Sequence, residues 1–194
     1  MHTRAHGGRR LAPLPGNASR LVLLGVALAA SGSVGPSRAT AGQGQAAPCS
    51  SPQYRQFDFW LGDWDVIDAG THERVARARV RSILGGCVVL EEYRGSTGSK
   101  GRSFSIYDVT RAVWHQTWVT DRGRLLVIEG HFRGGVMAME GSDRAAAGAP
   151  ERLVRGRWQA LGHGLGVRES ADRSIDAGKS WQPWFDLIFR PHSR

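Results

Sequence analysis

The sequence predicts an all-β protein: an antiparallel up-and-down barrel of about nine or ten strands, preceded by an N-terminal signal peptide. Three observations carry this expectation. Downstream of Gly62, apolar and polar residues alternate with the two-residue period of half-buried strands, segment after segment. Turn formers recur between these segments, with no helical period between them, which argues for a sandwich or an up-and-down barrel. Immediately before the first strand, Phe57-Asp58-Phe59-Trp60-Leu61-Gly62-Asp63-Trp64 places four aromatics within eight residues, a composition suited to plugging one end of a barrel.

The chain opens on a leader. Met1 to Ala41 holds five arginines (Arg4, Arg9, Arg10, Arg20 and Arg38) and no acid, with an apolar run of ten residues beginning at Leu21. This is the layout of a secretory signal peptide. The run is too short to cross a bilayer core, which takes roughly 20 apolar residues, so no stable membrane anchor is expected. Ala39-Thr40-Ala41 offers an A-x-A cleavage site, and a cut near Ala29 or Ala30 fits the end of the run equally well. The expected organisation is a signal peptide over 1–41, a flexible connector over 42–56 and a single barrel domain over 57–194, exported to the periplasm or beyond.

Removing the leader changes the charge argument. The formal net charge of +9 includes its five arginines; without them, 21 basic residues face 17 acids. Arg74, Arg77, Arg79 and Arg81 are the only dense basic group, and on a strand Arg77, Arg79 and Arg81 share one face. A solvated outer wall explains that row, and no nucleic-acid partner is expected, since basic stripes that bind nucleic acid interleave with aromatics. Cys49 and Cys87 are the only cysteines, and an even pair in an exported chain predicts a disulfide.

Along the chain, Phe57 to Leu61 reads as a helical turn leading through Gly62 into a strand over about 63–68. Arg74 to Ile83 is the second strand, with Ala76, Ala78 and Val80 on one face. Cys87 to Arg94, Ser103 to Tyr107 and Val113 to Thr120 follow, separated by Gly95 to Gly101 and Asp108 to Arg111. Leu125 to Phe132 and Val136 to Glu140 form a hairpin across Arg133-Gly134-Gly135, and 143–151 reads as a loop. Strands over 153–160, 165–170 and 184–189 complete the wall. Between the last two, Ser174-Ile-Asp176-Ala-Gly178-Lys-Ser-Trp181 matches S-x-D-x-G-x-x-W, a spacing that resembles the Asp-box hairpin of sialidases and of several unrelated β proteins. Its logic is structural: Asp176 accepts turn amides, Gly178 supplies a positive φ and Trp181 packs back over the turn.

Together, Phe-Asp-Phe-Trp-Leu-Gly-Asp-Trp-Asp-Val, Leu84-Gly-Gly-Cys87, Tyr107-Asp108, Trp114-x-Gln116-x-Trp118 and the terminal Asp-box resemble a bacterial family of exported proteins of unknown function with a lipocalin-like (calycin-type) barrel. Gly62-Asp63-Trp64 looks like the G-x-W element of lipocalins, with Trp60, Gly62 and Trp64 in structural roles. The resemblance implies a fold and a small-ligand cavity; it brings no activity and no catalytic residue.

Candidate chemistry is therefore read from the strands. Trp114, Gln116 and Trp118 share one face, and if it points inward two indoles flank an amide, a surface suited to a hydrophobic or amphipathic molecule, although the same side chains would serve as barrel filler. Glu92 shares a face with Val88 and Leu90 and could place a carboxylate at the end of that row. Glu129 and His131, two apart on one strand, could act as an acid/base couple if they face one pocket. The histidines of the mature chain show neither H-x-H nor H-E-x-x-H spacing, so no metal is expected, and no phosphate loop, dinucleotide fingerprint or nucleophile elbow suggests a cofactor or catalytic motif. Small-ligand binding is the first expectation, with a small-substrate enzyme or a solid interaction module as alternatives.

Overall fold

The computed structural model describes residues 47–144 and 146–193; the predicted signal peptide and residues 42–46 of the predicted connector lie outside them. Ten strands run in chain order: β1 Gly62–Asp68, β2 Arg74–Ile83, β3 Val88–Gly95, β4 Lys100–Asp108, β5 Val113–Thr120, β6 Leu125–Arg133, β7 Val136–Arg144, β8 Glu151–Leu161, β9 Gly166–Ser174 and β10 Gln182–Pro191. Each is antiparallel to the next, and β1 pairs with β10 from Trp64↔Pro191 to Asp68↔Leu187, so the sheet closes into a barrel without an open edge. Closure removes the unpaired rows of N–H and C=O groups that make sheet edges prone to association. Among the described residues no helix is long and apolar enough to cross a membrane.

Local sequence explains the wall. In β2, Ala76, Ala78 and Val80 are buried while Arg77, Arg79 and Arg81 face out. The arginines meet acids on flanking strands: Arg77 lies 3.5 Å from Asp65, Arg79 pairs with Asp63 and Arg81 with Glu92. Such exposed pairs contribute little stability each, but they neutralise the basic row. A bulge at Val66/Ile67 shifts the β1–β2 register, so both consecutive residues are buried. A second bulge, between Pro183 and Phe185, leaves Trp184 as the extra residue in β10.

One end of the barrel is stoppered by the aromatic segment. A 3-10 turn over Asp58–Trp60 lays Phe57 in a stack on Trp60, with ring centroids 5.0 Å apart. Trp114 and Trp158 meet Phe57 edge-on at 5.6 and 5.7 Å, and Phe189 meets Trp60 at 5.8 Å. Trp64 Nε1 donates to the Trp60 carbonyl at 3.0 Å. A Cβ at position 62 would stand 2.7 Å from the Trp64 ring, so only glycine lets that indole fold back over the strand start. From Cys49 onward the predicted connector is anchored: Cys49 is bonded to Cys87, Pro52–Arg55 forms a 3-10 turn, Arg55 donates to the Gly86 carbonyl, and Gln56 Oε1 accepts from Trp114 Nε1 at 3.0 Å.

Several strands run longer than the sequence predicts. β7 continues to Arg144 and β8 begins at Glu151, because Asp143↔Arg152 and Arg144↔Glu151 extend the ladder into the region read as a loop. β9 likewise continues to Ser174, directly into the Asp-box turn. There Asp176 Oδ1 accepts from the Ser180 amide at 2.9 Å, the Gly178 amide donates to Ser174 Oγ at 2.8 Å, and Gly178 has φ of 87°. Trp181 carries the Arg155 guanidinium on its face at 4.2 Å.

Candidate functional site

Strand alternation sorts the interior into layers between the plug and the opposite, open end. Next to the plug lie Trp114, Met137, Met139 and Trp158, all buried. Above them comes a polar layer: Glu91 on β3, Ser103 and Ser105 on β4, Gln116 on β5 and Glu169 on β9. Tyr93, Trp118, Leu126, Trp184 and Phe185 then line the way out. Glu91, Tyr93, Gln116, Trp118, Trp158, Glu169 and Trp184 all border one cavity of about 310 Å³, whose remaining lining is aliphatic, aromatic or glycine. The bulge in β10 explains why two successive aromatics, Trp184 and Phe185, both reach it.

The polar layer is internally organised. Ser103 Oγ donates to Glu91 Oε2 at 3.0 Å, and Gln116 Nε2 donates to Ser105 Oγ at 2.9 Å. Glu91 is 5% exposed. Burial pushes its carboxyl well above the usual range, only partly opposed by the Ser103 hydroxyl. Glu169 borders the cavity and is raised as well, first by burial and then by repulsion from Glu91. The Trp158 indole N–H approaches Glu169 closely enough to oppose that rise, without completing a hydrogen bond of normal geometry. Tyr93 is pushed up to about 12 by burial and by the charges of Glu91 and Glu169, so its phenol stays a donor at neutral pH. Two acids in one low-dielectric space hold protons more tightly than either would alone.

A basic rim stands at the open end. Asp143, 7% exposed, takes both Nε and Nη2 of Arg152 at 2.9 Å and accepts from Arg124 and Arg173 at 3.0 Å. The Arg173 guanidinium lies 3.0 Å from the centre of the Trp184 ring. Desolvation pulls Arg173 down to about 10, which leaves it cationic.

The residues nominated by sequence are distributed unevenly. Gln116 and Trp118 border the cavity, whereas Trp114 belongs to the plug packing. Glu92 stands on the outer wall, paired with Arg81 and, at 2.9 Å, with Arg102. It does share a face with Val88 and Leu90, but that face is the outer one; the inner row of β3 is Val89, Glu91 and Tyr93. Glu129 and His131 also lie outside. His131 is exposed, and Glu129 instead binds Arg111 at 2.8 and 3.0 Å and His115 Nδ1 at 2.8 Å. These contacts, Arg111 first, hold Glu129 down at about 2, so it is an ion-paired surface carboxylate and the couple with His131 does not form.

Cys49 and Cys87 are bonded, with Cα atoms 5.0 Å apart. Among the described residues no group of three or more His, Cys, Asp or Glu could hold a metal ion. Sequence reading missed Glu91, Glu169, Tyr93, Trp158 and Trp184. A signal for Glu91 was present: the outward arginines of β2 require acids on the facing side of β3, and Arg79↔Glu92 is the cross-strand pair that results. No protein-family model matches the chain, and no curated protein matches it.

Proposed function

We propose that this is an exported, lipocalin-like barrel that binds a small hydrophobic or amphipathic molecule inside its wall. The observation that carries the reading is the cavity of about 310 Å³, in which polar groups cluster at the inner end of an otherwise apolar, aromatic-lined space. Mostly apolar walls with a few convergent polar groups are the usual make-up of small-molecule sites. A solid barrel of interaction type would have filled this space with side chains. Export is supported by the leader pattern of residues 1–41 and by the Cys49–Cys87 bond, since disulfides persist in oxidising compartments.

The test is native mass spectrometry of the protein purified from its own exported fraction. A retained small molecule that is lost on denaturation is expected. A bare chain, together with no binding of neutral amphipathic probes to the purified protein, would overturn the reading.

A further inference from the structure

The polarity of the cavity narrows the ligand class. Two carboxyl groups, Glu91 and Glu169, border it, and no lysine, arginine or histidine lies among the described residues lining it. Several acids elsewhere lie against arginine or histidine: Asp63 on Arg79, Asp65 on Arg74 and His192, Glu92 on Arg81 and Arg102, Asp143 on three arginines, Asp172 on Arg155 and Arg157. The two cavity glutamates have each other and neutral groups around them instead: Ser103 Oγ donates to Glu91, and Tyr93, Gln116 and Trp158 border the same space. Trp158 is 3% exposed, and its N–H, beside Glu169, has no hydrogen-bond partner. The acceptor capacity of the two carboxyls at the inner end of the cavity thus exceeds the one hydroxyl, that of Ser103, which donates to it.

Aromatic faces surround the same space. Trp118, Trp158, Trp184 and Tyr93 all contribute to the lining, and electron-rich rings attract a cation while covering its apolar substituents. The rim has the opposite preference, with Arg124, Arg152 and Arg173 gathered on the single carboxylate of Asp143. A cation is therefore stabilised inside and disfavoured at the mouth, which orients an asymmetric ligand. An anion has the reverse profile, since at the inner end it would meet two carboxyls.

We propose that the cavity takes a small amphipathic amine, its ammonium between Glu91 and Glu169 and its apolar body against Trp118, Trp158 and Trp184. This rests on the reading of the cavity as a ligand site and adds the charge of the ligand to it. A protonated amine brings the positive charge that favours the ionised form of the two acids, so its binding releases to solvent the protons that burial holds there, and each carboxylate then accepts a charge-assisted hydrogen bond from the ammonium.

Three ligands of similar shape separate the possibilities: tryptamine, its neutral isostere 3-propylindole and the anionic indole-3-propionate, each titrated calorimetrically into the full mature protein at pH 7. Tryptamine is expected to bind at least tenfold more tightly than 3-propylindole, and indole-3-propionate more weakly than either. Glu169→Gln should abolish the tenfold preference while retaining 3-propylindole binding, and Glu91→Gln should do the same, so that either variant serves if the other proves hard to produce. If 3-propylindole binds as well as tryptamine, or the preference survives in both variants, the amine inference fails and the amphipath reading stands. If none of the three binds, both fail.

Discussion

Glu91 and Glu92 are neighbours in the chain, yet one lies 5% exposed inside the barrel and the other lies between Arg81 and Arg102 on its outer wall. The strand period of two forces this divergence, and each side chain's chemistry follows from its side of the sheet. A buried carboxyl raised above the ordinary glutamate value of 4.5 binds its proton more tightly when folded than when unfolded. Its stabilising contribution is therefore complete below about pH 4.5 and is lost as pH rises through the raised folded value. Glu91→Gln, which keeps the shape and a partner for Ser103, should stabilise the protein at pH 8 by about 1–3 kcal/mol, the cost of a poorly satisfied buried polar group. At pH 4 it should be neutral. Thermal melts at the two pH values check this; an equal effect at both would exclude a buried titrating group at position 91. Which glutamate faces inward was legible only through pairing. Val88, Leu90 and Glu92 read as an inner row because apolar residues usually mark the core, but Leu90 pairs with Phe104, which is 43% exposed, and the row continues outside through Thr117 to Val127.

At the scale of elements, β4 shows why the cavity was hard to read. Its inward residues are Gly101, Ser103 and Ser105, and its outward ones include Phe104 and Ile106, an inversion of the usual pattern. Inversion is tolerable where the inner face borders a polar layer, and a pattern rule that equates apolar with inside places such a strand backwards. The turns were more legible, because their chemistry is local. In the Asp-box hairpin, Gly178 sits at φ of 87°, and Gly178→Ala should cost about 1–2 kcal/mol in urea denaturation through the left-handed backbone alone. An unchanged midpoint would mean that the turn relaxes without loss. The disulfide joins the entry arm to the turn between β2 and β3 across a separation of 38 residues. Cys49→Ser with Cys87→Ser should lower stability by about 4 kcal/mol in the chain-entropy description. Chemical denaturation of the double variant tests that value, and a loss below about 1 kcal/mol would show that the hydrogen bonds of Arg55 and Gln56 hold the arm without it.

For the whole molecule, alternation and turns lead to a wall of about nine or ten strands, but nothing local says that β10 returns to β1, because that pairing joins residues more than a hundred positions apart. Closure is what makes the interior a cavity. It converts the inward rows of β3, β4, β5 and β9 into one enclosed layer, with the aromatic plug below and the arginine rim above. The same geometry implies that the space can be filled without disturbing the wall. Ala171, on the inner face of β9 and opposite Gly156 and Phe185 on the flanking strands, borders the cavity. Ala171→Phe should occupy the void with an aromatic ring, leave the melting temperature unchanged or slightly raised, and weaken 3-propylindole binding at least tenfold in calorimetric titration. In a packed core the same change forces strain, typically about 1–3 kcal/mol of destabilisation. A lower melting temperature would therefore indicate that the barrel is filled at this level, whereas intact stability with undiminished binding would place the ligand elsewhere on the protein.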